Sequence, residues 1–142
     1  MGYLHLFASL AFVDATYGDF DVTTVSNGQI QMRNLEGNCV ENAPRKINRF
    51  GATYTLNSLS MTWQLSDIGE AFSDASNTVA PNAAATVGLI PAYRVQDLSV
   101  SWNFWKQHSL KAGVNNLTDA RYFTRRAGGY PGPGIMPADG RT

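Results

Sequence analysis

The residues best suited to bind another molecule lie near the end of the chain. Residues 121–142 hold four arginines and a single acid: Arg121, Arg125, Arg126 and Arg141 against Asp139. A guanidinium group stays charged at any working pH and binds a carboxylate through two parallel hydrogen bonds. The segment therefore predicts a site for an anionic, oxygen-rich ligand. Arg125 and Arg126 are the first candidates, followed by Arg121 and Tyr130.

A structural role for the same arginines is the alternative. Residues 14–41 carry five acids, Asp14, Asp19, Asp21, Glu36 and Glu41, and only one arginine. The late arginines could pair with these acids and simply hold two loops together. The pattern leaves both roles open.

Nothing in the chain predicts catalysis or metal binding. The two histidines, His5 and His108, lie on separate segments without metal-ligand spacing, and no base accompanies the serine-rich segments. The glycine and proline run at residues 128–134 is no phosphate-binding loop, because neither a Lys-Ser/Thr pair nor a helix start follows it. The single cysteine, Cys39, allows no internal disulfide. We expect no enzyme activity, no metal site and no cofactor.

The amino-acid composition gives no support to a nucleic-acid-binding protein or to a membrane protein built of helices. Lys plus Arg and Asp plus Glu both number 11, the net charge is +0, and only 15% of residues are charged. Nothing in this balance points to nucleic acid as a partner. No apolar run reaches the roughly 20 residues of a membrane-spanning helix, whereas a barrel strand needs only about 9 to 11 residues.

Five segments alternate between apolar and polar side chains, which is the pattern of a strand with two different faces. In the clearest, residues 58–66, every second residue is apolar and the others are Ser, Thr or Gln. Nine such residues, tilted by about 40°, climb roughly 23 Å, close to the roughly 25 Å apolar band of an outer-membrane barrel. We predict an all-β, antiparallel up-and-down meander of about five strands. The other four segments are residues 3–14, 49–56, 98–104 and 110–115.

The connections between these segments alternate between short and long. Residues 56–59 and 105–108 are tight links, whereas about 16–44, 67–92 and 124–142 are long. Barrels with short periplasmic turns and long extracellular loops have this arrangement. We expect loose loops on one side of the sheet. Aromatic residues on or near strand ends also suggest an interfacial girdle: Tyr54, Trp63, Trp102, Phe104, Trp105 and Tyr122.

A second architecture fits part of the pattern. Residues 6–13 resemble the apolar core of a signal peptide, although no Lys or Arg precedes them. With residues 1–15 removed as a signal, the rest could be a small secreted β-sandwich that acts as a binding module. Alternation alone does not separate a lipid-facing strand from a strand packed on a dry core.

A resemblance to a known family favours the barrel. Residues 115–119 (Asn-Asn-Leu-Thr-Asp), then 121–123 (Arg-Tyr-Phe) and 130–134 (Tyr-Pro-Gly-Pro-Gly), closely resemble the last extracellular loop of TonB-dependent outer-membrane receptors, above all the ferric-dicitrate and siderophore branch. Residues 42–54 and 73–98 resemble preceding parts of the same family with less specificity.

This resemblance implies a fold and a function. The segments are similar to strands 17 to 21 of a 22-stranded transmembrane barrel, followed by the last extracellular loop. Such receptors bind a ferric chelate outside the cell, and the TonB complex pulls on an N-terminal plug to admit it. The implied partners are a ferric chelate and lipid of the Gram-negative outer membrane, and the loop arginines could also meet lipopolysaccharide phosphates.

The chain departs from the family pattern in extent. It has no counterpart of the TonB box, the plug, the first sixteen strands or the last strand. Five strands cannot close a barrel, so both sheet edges would stay unpaired. We therefore expect a fragment that transports nothing alone and reaches the TonB complex only through the missing N-terminal region.

Overall fold

The computed structural model describes residues 2–26, 28–105, 108–129 and 132–142. Within these ranges the regular elements are all β-strands, and no helix has the length and apolar character needed to cross a membrane. The strands are β1 Gly2–Phe12, β2 Asp21–Ser26, β3 Gln29–Asn34, β4 Lys46–Leu56, β5 Leu59–Ile68, β6 Ala71–Phe72, β7 Leu89–Ile90, β8 Tyr93–Phe104, β9 His108–Val114, β10 Phe123–Ala127 and β11 Gly134–Pro137.

The predicted five-stranded meander is confirmed. One sheet has the strand order β1-β4-β5-β8-β9, and each neighbouring pair is antiparallel. The pairing of β1 with β4 is continuous, from Gly2 opposite Leu56 to Phe12 opposite Lys46. The first residues are therefore a full strand of the sheet, which contradicts their interpretation as a signal peptide.

The register places most of the apolar residues of the five strands on one face. Leu6 lies opposite Ala52, which lies opposite Trp63, and Trp63 lies opposite Leu98. Because side chains alternate along a strand, the intervening serines and threonines share the other face with Gln64, whereas Gln96 lies on the apolar face opposite Leu65. On that polar face the hydroxyl groups of Thr53 and Thr62 hydrogen-bond across the strands at 2.9 Å.

No second sheet covers the apolar face in the part of the chain that the structure describes. Leu6 is 67% exposed and Phe12 is 76% exposed. The buried apolar side chains of the same ranges, Leu35, Ala71, Ile90 and Ala127, all belong to the long connections. A β-sandwich would bury the sheet face first, so the alternative architecture is wrong.

Charged residues border the apolar face at one end. Asp67 of β5 accepts from Lys46 of β4 at 2.7 Å and from Arg94 of β8 at 2.9 Å, across three adjacent strands. All three lie at the end of the sheet where the long connections begin. The apolar band therefore runs from this trio towards the short turns.

The expectation of loose loops is wrong. Each long connection contains a two-stranded hairpin of its own: β2 with β3, β6 with β7, and β10 with β11. The short link at residues 56–59 is as expected, whereas the centre of the link at residues 105–108 lies outside the described residues. Leu56 pairs with Leu59 across a two-residue turn, in which Asn57 adopts a positive φ of 52° that asparagine tolerates.

The predicted position at strand ends is confirmed for only some of the aromatic residues, and the interfacial girdle stays a prediction. Trp102 and Phe104 lie next to the short turn, with ring centroids 4.8 Å apart. Trp63 instead lies in the middle of β5, where its indole N–H donates to Gln96 Oε1 at 3.0 Å. Tyr122 stacks on Tyr93 of the polar face, with centroids 4.4 Å apart.

The contact between Gly51 and Phe7 allows a test of how side chains pack on the polar face. It lies directly opposite Phe7, and a Cβ atom at this position would overlap the edge of the Phe7 ring. We predict that Gly51→Ala destabilises the intact protein by about 1–3 kcal/mol, because the ring must leave its place. The measurement is urea unfolding in detergent micelles, followed by tryptophan fluorescence.

The control is Gly18→Ala, since nothing lies within 4 Å of a Cβ at Gly18. In a Phe7→Ala background, Gly51→Ala should cost much less, because the overlapping ring is gone. An equal cost with and without Phe7 would contradict this packing.

Candidate functional site

The three long connections leave the sheet at the same end. We name them loop 1 (residues 13–45), loop 2 (residues 69–92) and loop 3 (residues 115–142). They begin or end beside Phe12, Lys46, Ile68, Tyr93 and Val114, which form one end of the sheet. The arginines predicted to bind a ligand all lie in loop 3.

A buried asparagine organises loop 3. Asn116 is 3% exposed, and its Nδ2 donates to the carbonyl oxygens of Ala120 at 2.9 Å and Asp139 at 3.3 Å. Its Oδ1 accepts from the Ala120 N–H at 2.8 Å, while its own N–H donates to Asp97 of β8 at 2.9 Å. One side chain thus joins the beginning of loop 3 to its end, and its backbone joins it to the sheet.

The end of loop 3 returns to the sheet beside β9. The Asn115 N–H donates to the Thr142 carbonyl at 2.8 Å, and the Thr142 N–H donates back to Asn115 at 3.3 Å. A cleft of about 410 Å³ lies between this returning segment and β8, lined by residues that include Asp97, Tyr122 and Asp139. Its carboxylates make it unsuited to an anionic ligand.

The structure separates the two arginines that the sequence grouped. Arg125 and Arg126 are consecutive residues of β10, opposite Met136 and Ile135 of β11. Consecutive side chains of a strand point to opposite faces. Arg125 is exposed on one face, and Arg126 is half-buried on the face next to loop 2.

Arg126 has several partners in loop 2. Its Nη1 donates to the Ala85 carbonyl at 3.1 Å, and its Nη2 and Nε donate to the Leu89 carbonyl at 3.0 and 3.3 Å. The guanidinium carbon also lies 4.8 Å from the centroid of the Phe123 ring, within cation–π distance. The three hydrogen bonds hold the hairpin of loop 3 against loop 2.

The other candidate arginines are more exposed to solvent than Arg126. Arg121 precedes β10 and is exposed, as Arg125 is. Neither has an ion-pair partner among the residues that the structure describes. Tyr130 lies outside the described residues, so its ligand role stays a prediction.

The alternative of ion pairs with the acidic segment is wrong for the described ranges. Their salt bridges join Arg45 to Asp14, and Lys46 and Arg94 to Asp67. Loop 3 is held instead by the backbone carbonyls of loop 2.

Asp14 of loop 1 pairs with Arg45 of the same loop, whereas three further acids of loop 1 have neutral partners. Asn34 Nδ2 donates to Asp19 at 2.7 Å and to Asp21 at 2.8 Å. Glu41 accepts a hydrogen bond from the Tyr17 hydroxyl, which raises the pKa of Tyr17. These bonds stay within loop 1 and give the acidic segment a shape of its own.

Sequence reasoning missed one group on the polar face. Tyr93, whose ring stacks on Tyr122, shares the polar face with Arg49. Arg49 lies opposite Ser66, which lies opposite Val95, two residues from Tyr93, and Arg49 has no ion-pair partner in the described part of the chain. The parity of Arg49 and Tyr93 in their strands could have identified both. The stacking of Tyr122 depends on the path of loop 3 and leaves no trace in the sequence pattern.

The chain matches a family model described as TonB dependent receptor-like, beta-barrel, over residues 3–117. No curated protein matches it. The matched range includes every strand of the main sheet, loops 1 and 2, and the start of loop 3.

Solved structures share the fold. The unliganded ferric citrate transporter FecA and the siderophore receptor PiuA from Acinetobacter baumannii each match 97% of the chain at 22% identity, with a TM-score of 0.77. The ferric-catecholate import receptor Fiu from E. coli K12, in its open form, matches 79% at 16% identity, with a TM-score of 0.58. The chain spans 19%, 18% and 16% of these structures, about a fifth or less of each.

Asn116 generates a prediction about loop 3. Asn116→Ala leaves two carbonyls and one N–H without their partner, at a cost of about 2–3 kcal/mol if they stay buried. We expect loop 3 to open and trypsin to cleave faster after Arg121 and Arg125 in the folded protein. Limited proteolysis followed by mass spectrometry measures this rate.

Asn115→Ala is the matched control, because the Asn115 side chain is exposed and makes only one long bond, 3.4 Å, to Thr142 Oγ1. Equal trypsin resistance of the Asn116→Ala and unmodified proteins would contradict the assignment.

Proposed function

The chain belongs to the TonB-dependent receptor β-barrel family, and from this premise we propose that it is part of an outer-membrane transporter that takes up ferric chelates. The matched range, residues 3–117, supports the transporter class. FecA, PiuA and Fiu are named for ferric citrate, siderophores and ferric catecholates, which supports a ferric chelate as the substrate. Transport rather than catalysis is the activity we infer.

We propose that the chain supplies strands 17 to 21 and the last extracellular loop of a 22-stranded barrel. The plug and the remaining strands would come from the rest of the receptor, and contact with the TonB complex would pass through the plug. The chain alone would then transport nothing, because an open sheet encloses no channel.

The apolar face is the surface we assign to the lipid of the outer membrane. Its exposed Leu, Phe and Trp side chains span the distance between the Lys46–Asp67–Arg94 trio and the short turns. A hydrated lumen would suit the Ser, Thr and Gln side chains of the opposite face. Loops 1, 2 and 3 would then face the outside of the cell.

The single observation that carries the ligand proposal is the exposed guanidinium of Arg125 at this outer end of the sheet. Arg125 and Arg121 could both donate charge-assisted hydrogen bonds to the oxygens of an anionic chelate. We propose these two as direct ligand contacts, with Tyr130 as a further contact. Arg126, whose guanidinium is hydrogen-bonded to loop 2, would contribute to the same site from the opposite face of β10.

The test of the transport function uses the intact receptor in an outer membrane. We expect uptake of radioactive iron as ferric citrate, or as another anionic ferric chelate, to depend on this receptor and on the proton motive force. A control strain carries the receptor without its plug. Uptake that persists without an energised inner membrane would contradict a TonB-dependent mechanism.

The ligand site has its own prediction. Arg125→Ala and Arg121→Ala should each weaken binding of the transported chelate by about fivefold to tenfold, and the loss should shrink at high salt because the interaction is between exposed charges. The measurement is isothermal titration of the purified receptor.

The control is Arg33→Ala, which removes an exposed arginine from loop 1. Its effect on affinity should be less than twofold. A loss as large as that of Arg125→Ala would indicate a diffuse electrostatic effect instead of a site in loop 3.

A further inference from the structure

Loop 2 is bonded to loop 3 by one side chain. Three nitrogens of Arg126 donate to only two acceptors, the carbonyls of Ala85 and Leu89, at 3.0–3.3 Å. A guanidinium presents its donors in a fixed planar fork, so this contact fixes an orientation as well as a distance. Beside it, Ala127 and Ile90 are buried, with 8% and 4% exposure.

Loop 2 is bonded to loop 1 by a second side chain. Asn77 Oδ1 accepts from the Cys39 N–H at 2.7 Å, and Asn77 Nδ2 donates to the Cys39 carbonyl at 2.8 Å. The amide thus binds both backbone groups of one residue, as a neighbouring strand would. Asn38 Nδ2 reinforces the contact by donating to the Ala75 carbonyl at 2.8 Å.

Asparagine suits this position for two reasons. Its short side chain carries a donor and an acceptor, and it tolerates the positive φ of 53° found at Asn77. Asp74 holds the turn by accepting from the Ser76 N–H at 3.1 Å and from the Thr78 hydroxyl at 2.8 Å. The turn that Asp74 stabilises therefore holds the Asn77 side-chain amide in position to bond to loop 1.

We propose that loop 2 joins loops 1 and 3 into one body, with Asn77 and Arg126 as the two main side-chain fastenings. A backbone bond from the Asn42 N–H to the Phe72 carbonyl, at 2.7 Å, supports the one between loops 1 and 2. Arg126 is then a positioning residue: it orients β10 so that Arg125 points outward from the mouth of the sheet. Asn77 extends the same body to the acidic loop 1. The hydrogen bonds between the three loops support a single body. The consequence for binding of a ferric chelate rests on the proposed function.

Hydrogen exchange tests the fastening between loops 2 and 3. In the intact receptor without ligand, Arg126→Ala and Arg126→Lys should each speed backbone amide exchange in residues 85–89 by roughly tenfold or more, since a lysine cannot donate to both carbonyls in the geometry of the fork. Arg125→Ala is the matched control on the adjacent residue and should leave this exchange unchanged. Unmodified protection in Arg126→Lys, or equal deprotection in Arg125→Ala, overturns the proposal.

The fastening between loops 1 and 2 has its own matched pair. Asn77→Ala should speed exchange in residues 38–40, and the change should extend to residues 85–89 if the loops form one body. Val79→Ala is the control, because the Val79 side chain of loop 2 is 64% exposed and has no polar atom to bond to loop 1 or to residues 85–89. Deprotection confined to residues 38–40 overturns the single body.

Chelate affinity separates positioning from direct contact. With ferric citrate as the probe, or the chelate identified by uptake, Arg126→Lys should bind as weakly as Arg126→Ala, whereas Arg125→Lys should keep most of the affinity. Full affinity in Arg126→Lys together with loss in Arg126→Ala means that the charge itself meets the ligand, and it overturns the positioning role. Unchanged affinity in every variant, with the expected exchange, supports the fastening and refutes the ligand site.

Discussion

The structure depends on one constraint: an antiparallel sheet in full register, whose apolar face is covered by no other part of the chain that the structure describes. Most Leu and Trp side chains of the five strands lie on one face and most Ser and Thr side chains lie on the other, and the register keeps these sets apart from strand to strand. Phe7 on the polar face and Gln96 on the apolar face are exceptions. In water this face would be a large aggregation-prone patch. Against lipid it is the stable arrangement, and the backbone bonds of the inner strands are satisfied within the sheet.

The same constraint explains where the packed core lies. Because the sheet directs its apolar side chains outward, it cannot use them to stabilise the loops. The loops have small cores of their own instead, around Leu35 in loop 1 and around Ala71, Ile90 and Ala127 between loops 2 and 3. Paired hairpins and side-chain-to-backbone bonds supply the rest of their order. The long connections are thus structured elements and not tethers between strands.

How far the sequence predicts this molecule depends on the range of the interactions involved. The alternation in residues 58–66 is a local signal, and it predicts β5 and its two faces correctly. The hairpin β2–β3 also has a local signal, an Asn27-Gly28 pair that follows a segment rich in Val and Thr, although the length of the connection favours a loop. The partners of Arg126 carry no signal at all. They are backbone carbonyls about 40 positions away, and every residue has a carbonyl.

The two neighbouring arginines show why residue type and position in the sequence do not assign a role. Arg125 and Arg126 have the same chemistry and adjacent positions, and a sequence argument treats them alike. The period of a strand places them on opposite faces, so one meets solvent and the other meets loop 2. Burial then decides between them, because a half-buried guanidinium requires acceptors and the carbonyls of Ala85 and Leu89 provide them. In the anion site that we propose at this end of the sheet, the two arginines accordingly have different roles: Arg125 faces the ligand, and Arg126 holds the strand that presents it.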